Sequence, residues 1–173
     1  LDAAQSSLGK IAIGMAFEFN AQHQLGLDQN GNKGQPFFNV SPAFVGASIT
    51  NAKGTSTNPA AELTAKVTDP GKLKDSDYEV TFNGTNYKVV RQSDNTDVGT
   101  VTPGANGVAT FEVDGVEFSF KNNARNKDTF LVRPTIDGAA NFNVLANDVS
   151  QIAAAAPILT SMPLTNTGTG KIS

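Results

Sequence analysis

The sequence has no cysteine, no tryptophan, two tyrosines and one histidine in 173 residues. Without cysteine there is no disulfide framework, no thiolate nucleophile and no cysteine metal site. A lone histidine lacks the second ligand or orienting partner on which metal and catalytic imidazoles depend. His23, near the end of a helical pattern, is therefore read as a carbonyl cap or a surface residue. The 13 basic residues are outnumbered by 16 acidic ones, giving a net charge of −3 and a pI near 5.0. The basic residues are scattered along the chain, and there are only two tyrosines and no tryptophan for base stacking, which argues against a nucleic-acid binder. No stretch approaches the roughly 18 apolar residues that a membrane-spanning helix needs.

What is present is a helical stretch followed by β structure. The hydrophobic fraction of 39% is modest and glycine is abundant at 16 residues, a composition suited to extended, loop-rich β structure. At this length the chain is one domain, or a small domain with pieces of another. From Leu1 to Phe19, apolar or small residues recur at Leu1, Ala4, Leu8, Ile11, Met15 and Phe19, near the helical period. The pattern dissolves at Gly26, and Asp28 to Gly34 is a run of turn-forming residues before Phe37-Phe38. A one-sided helix of this length needs a partner. The second helical candidate spans Asn141 to Ala156, where Asp148 is a good N-cap for a short helix over Val149 to Ala155 and Pro157 stops it. The spacing predicts that the two helices pack antiparallel, with Leu8, Ile11 and Met15 buried against Ile152 or its neighbours.

Between them lie strands. Asn83-Gly84 is flanked by Tyr78 to Phe82 and Thr85 to Val89, and a two-residue turn there sets Val80 opposite Tyr87. Asp114-Gly115 repeats the logic, setting Val113, Phe111 and Ala109 opposite Val116, Phe118 and Phe120. Both registers place the apolar residues on one face. Val98 to Thr102 and Asp128 to Arg133 supply further strands, for an antiparallel meander of five or six. Phe44 to Ile49 and a segment ending at Val67 are weaker strand candidates. Ile158 to Leu164 reads as a strand of a further segment.

Motifs for chemistry are sparse. Asp28, Asn30 and Asn32 have the alternation of a calcium loop, but Lys33 stands where that loop needs glycine and Asn39 where it needs glutamate, leaving a polar turn. Asp75, Asp77, Glu112, Asp114 and Glu117 lie at strand edges and turns with no spacing that selects a catalytic pair. There is no nucleophile elbow and no phosphate-binding loop before a helix. The residues point to a structural or binding module with no catalytic, cofactor or metal site.

The segment Phe19-Asn20-Ala21-Gln22-His23-Gln24-Leu25-Gly26-Leu27-Asp28-Gln29-Asn30-Gly31, with Gly34 and Phe37-Phe38 after it, resembles the family of flagellar hook-associated protein 1. So do Asp77-Tyr78-Glu79-Val80, Asp128 to Pro134 and Ile152 to Ala155. The resemblance implies an α+β fold in which an antiparallel β-rich outer domain is inserted between two helical segments of a helical-bundle wall domain. It divides the chain into a helix and polar loop (1–37), the outer domain (38–138), a returning helical segment (139–157) and the start of a further segment (158–173). It implies a structural subunit that joins hook to filament of the bacterial flagellum by self-assembly, outside the cell after export by the flagellar apparatus. Partners would be copies of itself and neighbouring hook and hook-associated proteins, with no enzymatic activity, cofactor, nucleic acid or membrane. Leu8, Ile11, Met15, Phe19 and Ile152 would form the helix-packing and assembly face, and the chain, as an internal fragment, would be a monomer. An adhesin-like or carbohydrate-binding β module on a helical stalk is the alternative; it predicts an exposed aromatic platform or a large apolar patch on the head, whereas the predicted hairpin turns both tyrosines inward.

Overall fold

A computed structural model describes residues 2–155. Helix α1 (Asp2–His23) is followed by eight strands: β1 (Phe44–Ala47), β2 (Glu62–Val67), β3 (Tyr78–Phe82), β4 (Tyr87–Arg91), β5 (Thr96–Val101), β6 (Ala109–Val113), β7 (Val116–Lys121) and β8 (Thr129–Arg133). They form two open antiparallel sheets, ordered β1-β8-β3-β4-β5 and β2-β7-β6. The single meander predicted from the sequence is thus two sheets. Each hairpin has one apolar face, and stacking the two faces buries both without a helix layer. Tyr78, Val80, Tyr87, Val89 and Val132 of the larger sheet meet Val116, Phe118 and Phe120 of the smaller. Aromatic pairs cross the gap: Tyr87 stacks on Phe120 with centroids 4.0 Å apart, and Tyr78 meets Phe118 edge-on at 5.7 Å.

The second hairpin has the predicted register, Val113 opposite Val116 and Phe111 opposite Phe118. Its turn residues Asp114 and Gly115 both adopt positive φ, 51° and 74°, as a tight hairpin requires. Phe111, predicted on the core side, is only half-buried, while Phe118 is fully buried. The first hairpin is displaced. Phe82 pairs with Tyr87 and Val80 with Val89, so the turn centres on Gly84-Thr85 rather than Asn83-Gly84. The cause is Asn83, whose side-chain oxygen accepts the amides of Thr85 and Asn86 at 3.0 and 2.8 Å. The shift is by two residues, so every side chain keeps its face.

The returning helix over 139–157 is not formed in the described residues. Asp148 does cap, accepting the Ser150 amide at 2.7 Å, but only a 3-10 turn follows, Val149–Gln151. The backbone beyond it is engaged elsewhere. Ala155 exchanges both hydrogen bonds with Leu27, and the Ala153 amide is taken by His23. Upstream, Leu145 donates to the Phe37 carbonyl and Asn39 to that of Asn143, so 143–145 runs as an extended strap beside 37–39. Side chains and carbonyls of the α1 end outcompete the i to i−4 bonds of a short helix. The predicted strand at Ile158 to Leu164, and Leu1, lie outside the described residues.

Candidate assembly face and helix-end junction

Helix α1 presents two faces. One, made of Gly9, Ala12, Ile13, Ala16, Asn20 and His23, is buried against the β domain and the straps. The other carries the predicted apolar stripe, and it is bare: Leu8, Ile11, Met15 and Phe19 are 58%, 66%, 52% and 44% exposed. The prediction that Leu8, Ile11 and Met15 are buried against Ile152 is therefore overturned. With no returning helix, nothing in the described chain covers them. Of that face the structure brings together only Phe19 and Ile152, which line an apolar cleft of about 430 Å³ with Leu25, Gly26 and Ala153 to Ala155. Ile152 and Leu25 are themselves largely exposed.

Apart from Ile13, which enters the β-domain core, the buried face is small or polar because it meets backbone. Gly9 lies against the carbonyl of Thr135 and the backbone of Gly138, a close approach that admits no Cβ. Beside it the Gln5 amide donates to the Ile136 carbonyl at 3.0 Å. Arg133 reaches from β8 to Asp2 and Asp77 at 2.9 and 3.0 Å, and Lys10 to Asp75 at 3.2 Å. The helix is thus braced to one end of the β domain along its first half.

Its second half holds two straps through buried polar residues. Asn20 accepts the amides of Phe37 and Phe38, each at 2.8 Å, and donates to the Phe38 carbonyl at 2.8 Å. One turn later His23, also buried, accepts the Ala153 amide on Nε2 at 2.9 Å. Its Nδ1 therefore carries the proton and donates to the Gln35 carbonyl at 2.7 Å. His23 is neither a surface residue nor a helix cap but a clamp, satisfied on both nitrogens. Phe19 and Phe38 lie 5.0 Å apart, and Phe38 stacks on Phe142 at 4.6 Å. The signal in the sequence was the spacing of Asn20 and His23, in line with the small residues Gly9, Ala12 and Ala16.

The remaining candidates are occupied structurally. The Asp28 carboxylate accepts the amides of Asn32 and Asn30 at 2.8 Å each, which hold its pKa below the usual carboxylate value and close the polar turn. Asp75, Asp77, Asp114 and Glu117 each pair with a cation. Glu112 faces Glu117 across the β6–β7 ladder. Among the described residues no group of three or more His, Asp or Glu is placed to hold a metal ion, and no helix is long and apolar enough to cross a membrane.

A braced helix with a bare apolar stripe and a two-sheet β domain at one side defines a mixed helix-and-sheet module. Two family descriptions match it: the "Flagellar hook-associated protein FlgK helical domain" over residues 1–38, and the "Flagellar hook-associated protein 1, D2-like domain" over residues 49–134. Flagellar hook-associated protein 1 of Salmonella typhimurium is 37% identical over 155 residues, 90% of this chain and 27% of that protein. The Escherichia coli protein of the same name is 34% identical over the same shares. The solved structure of the flagellar hook junction protein FlgK from Burkholderia pseudomallei superposes with a TM-score of 0.78 at 34% identity, covering 99% of this chain and 30% of that one. The chain belongs to the flagellar hook-associated protein 1 family. It spans about a quarter of the length of the relatives it matches.

Proposed function

We propose that this chain is part of a structural subunit of the bacterial flagellum that joins hook to filament. In this reading α1 and the straps at 35–38 and 152–155 belong to the tube wall, and residues 38–138 form an outward domain. The protein works outside the cell by self-assembly, with copies of itself and neighbouring hook and hook-associated proteins as partners, and performs no catalysis. The observation that carries the reading is the stripe of Leu8, Ile11, Met15 and Phe19 on a helix whose opposite face is already fixed. Exposed apolar surface so organised marks an interaction face. In the whole protein it would be covered by wall helices, with Ile152 extending it at the cleft. An aromatic sugar-stacking platform, which the adhesin-like alternative would use, gains no support from the tyrosines, both of which are fully buried.

The test is the paired change Ile11→Glu and Met15→Glu in the full-length protein, in cells lacking their own copy. The expected result is a secreted, soluble protein that fails to support filament attachment to hooks. Normal filaments with the doubly charged helix would overturn the assignment of this face.

A further inference from the structure

The fold collects basic residues that are far apart in the sequence. The Asp114-Gly115 turn and the ends of β4 and β8 lie at the helix-bearing end of the β domain, where the carboxylates Asp2, Asp75, Asp77 and Asp114 also lie. Following the strands away from the helix leads to the opposite tip, made of loops 48–61, 83–86, 102–108 and 122–128. Four cations sit there: Lys53, Lys121, Arg125 and Lys127, all exposed. None belongs to an ion pair among the described residues, and of the described cations elsewhere only Lys33 and Lys74 share that state, whereas Lys10, Lys66, Lys72, Lys88, Arg91 and Arg133 each hold a carboxylate. The tip's own acids offset them little. Asp128 is buried, with its oxygens on the amides of Ala52 and Arg125, and Glu62 alone is exposed, opposite Lys121 in the ladder.

The tip loops are locked to one another. Asn51 exchanges two hydrogen bonds of 2.8 Å with Thr129, Asn122 donates to the Ala60 carbonyl at 2.9 Å, and the Arg125 guanidinium donates to the Lys53 carbonyl at 3.0 Å. Arg125 and Lys53 are thereby held side by side. Lys127 stands at φ 77°, a left-handed conformation that glycine or asparagine takes cheaply and lysine does not. Its amide is fixed to the Phe82 carbonyl at 2.8 Å. A lysine kept where the backbone disfavours it is a strained residue of the kind that gathers at binding sites.

We propose that this tip binds an acidic polysaccharide. Exposed cations, of which the Arg125 guanidinium is held on the Lys53 carbonyl, with a rim of amide side chains (Asn106, Asn123, Asn126) supply charge for carboxylate or sulfate groups and hydrogen bonds for sugar hydroxyls. No exposed aromatic residue lies in the tip loops, so single-stranded nucleic acid finds no stacking platform. Ile49 and Val108 are the only large exposed apolar side chains there, too little surface to anchor in a bilayer. The inference is independent of the junction role proposed above.

The experiment uses the 173-residue chain and a size-defined heparin oligosaccharide at low salt, with polygalacturonate as a carboxylated counterpart. Binding is expected to weaken steeply as salt is raised, since the contacts are exposed charges. The variant Lys53→Gln, Arg125→Gln, Lys127→Gln should bind roughly tenfold more weakly, while Lys66→Gln, Lys72→Gln, Lys88→Gln, with the same net charge, should change affinity by about twofold or less. Lys127→Gly separates binding from folding: it should raise the melting temperature and still reduce affinity. Equal losses in the two triple variants, or no binding by the parent chain, would overturn the proposal. Tighter binding to anionic phospholipid vesicles or to single-stranded DNA than to the oligosaccharides would overturn the ligand class.

Discussion

His23 joins the end of the helix to Ala153, a residue 130 positions further along, through a 2.9 Å hydrogen bond to its Nε2. The same ring donates from Nδ1 to the Gln35 carbonyl, so one side chain ties the helix to both straps, of which 152–155 lines the apolar cleft. The neutral ring fits this arrangement because it offers one donor and one acceptor, and the two strap groups are one acceptor and one donor.

His23→Phe keeps a flat ring against Phe37 and Phe19 but leaves the Ala153 amide and the Gln35 carbonyl unpaired. The expected cost is about 1–3 kcal/mol in chemical denaturation. Hydrogen exchange gives the local check, with Ala153 losing protection while the core amides of β3 and β7 keep theirs. Unchanged protection at Ala153 would show that the clamp holds nothing.

The β domain was legible in the sequence because its signals are local. Period-two alternation placed Val80, Phe118 and Val132 inward, and Asp114-Gly115 named its own turn. The division into two sheets was not legible, since alternation shows that a strand has an inner face without saying what covers it. The helix failed more instructively. The helical period of Leu8, Ile11 and Met15 predicts a buried face, yet the buried face holds Gly9, Ala12, Ile13, Ala16, Asn20 and His23. Close backbone approach selects for small residues, and strap anchoring for polar ones, so hydrophobicity pointed to the wrong side. The cationic tip was hidden because Lys53 and Arg125 meet only once the sheet is folded.

Two glycines of α1 make a controlled pair. At Gly9 an added methyl group runs into the Thr135 carbonyl, which is backbone and has no room to turn aside. At Gly14 nothing lies within 4 Å of the same methyl position. Gly14→Ala should therefore stabilise by roughly 0.5–1 kcal/mol through helix propensity alone. Gly9→Ala should destabilise by about 1–3 kcal/mol despite the same gain, because the helix must move off the 135–138 turn. Thermal unfolding of the two variants decides it, and equal shifts would mean the helix does not rest on that turn.

The two tyrosines allow the core to be read directly by alkaline titration, since the chain has no tryptophan and no other phenol. Burial raises the pKa of both, with the Asp114 hydrogen bond adding to the effect at Tyr78 and the charge of Asp128 at Tyr87. The folded state thus holds both phenols neutral, while the unfolded chain releases their protons near the ordinary value of about 10. Below that value both states are protonated and stability does not depend on these groups; above it the unfolded state binds fewer protons and stability falls as pH rises. Phenolate absorbance should accordingly stay flat through pH 10 and then rise in one cooperative step, together with loss of the β-sheet circular dichroism signal. A tyrosine that ionises at its ordinary pKa with the sheet signal intact would contradict the buried placement. Conservative variants then separate the two rings. Tyr78→Phe removes the 2.8 Å bond to Asp114, which also holds Arg91, and should cost about 1 kcal/mol. Tyr87→Phe removes a buried hydroxyl that meets the Ala124 backbone without good hydrogen-bond geometry, and should be close to neutral, because the ring stacked on Phe120 is what the core requires.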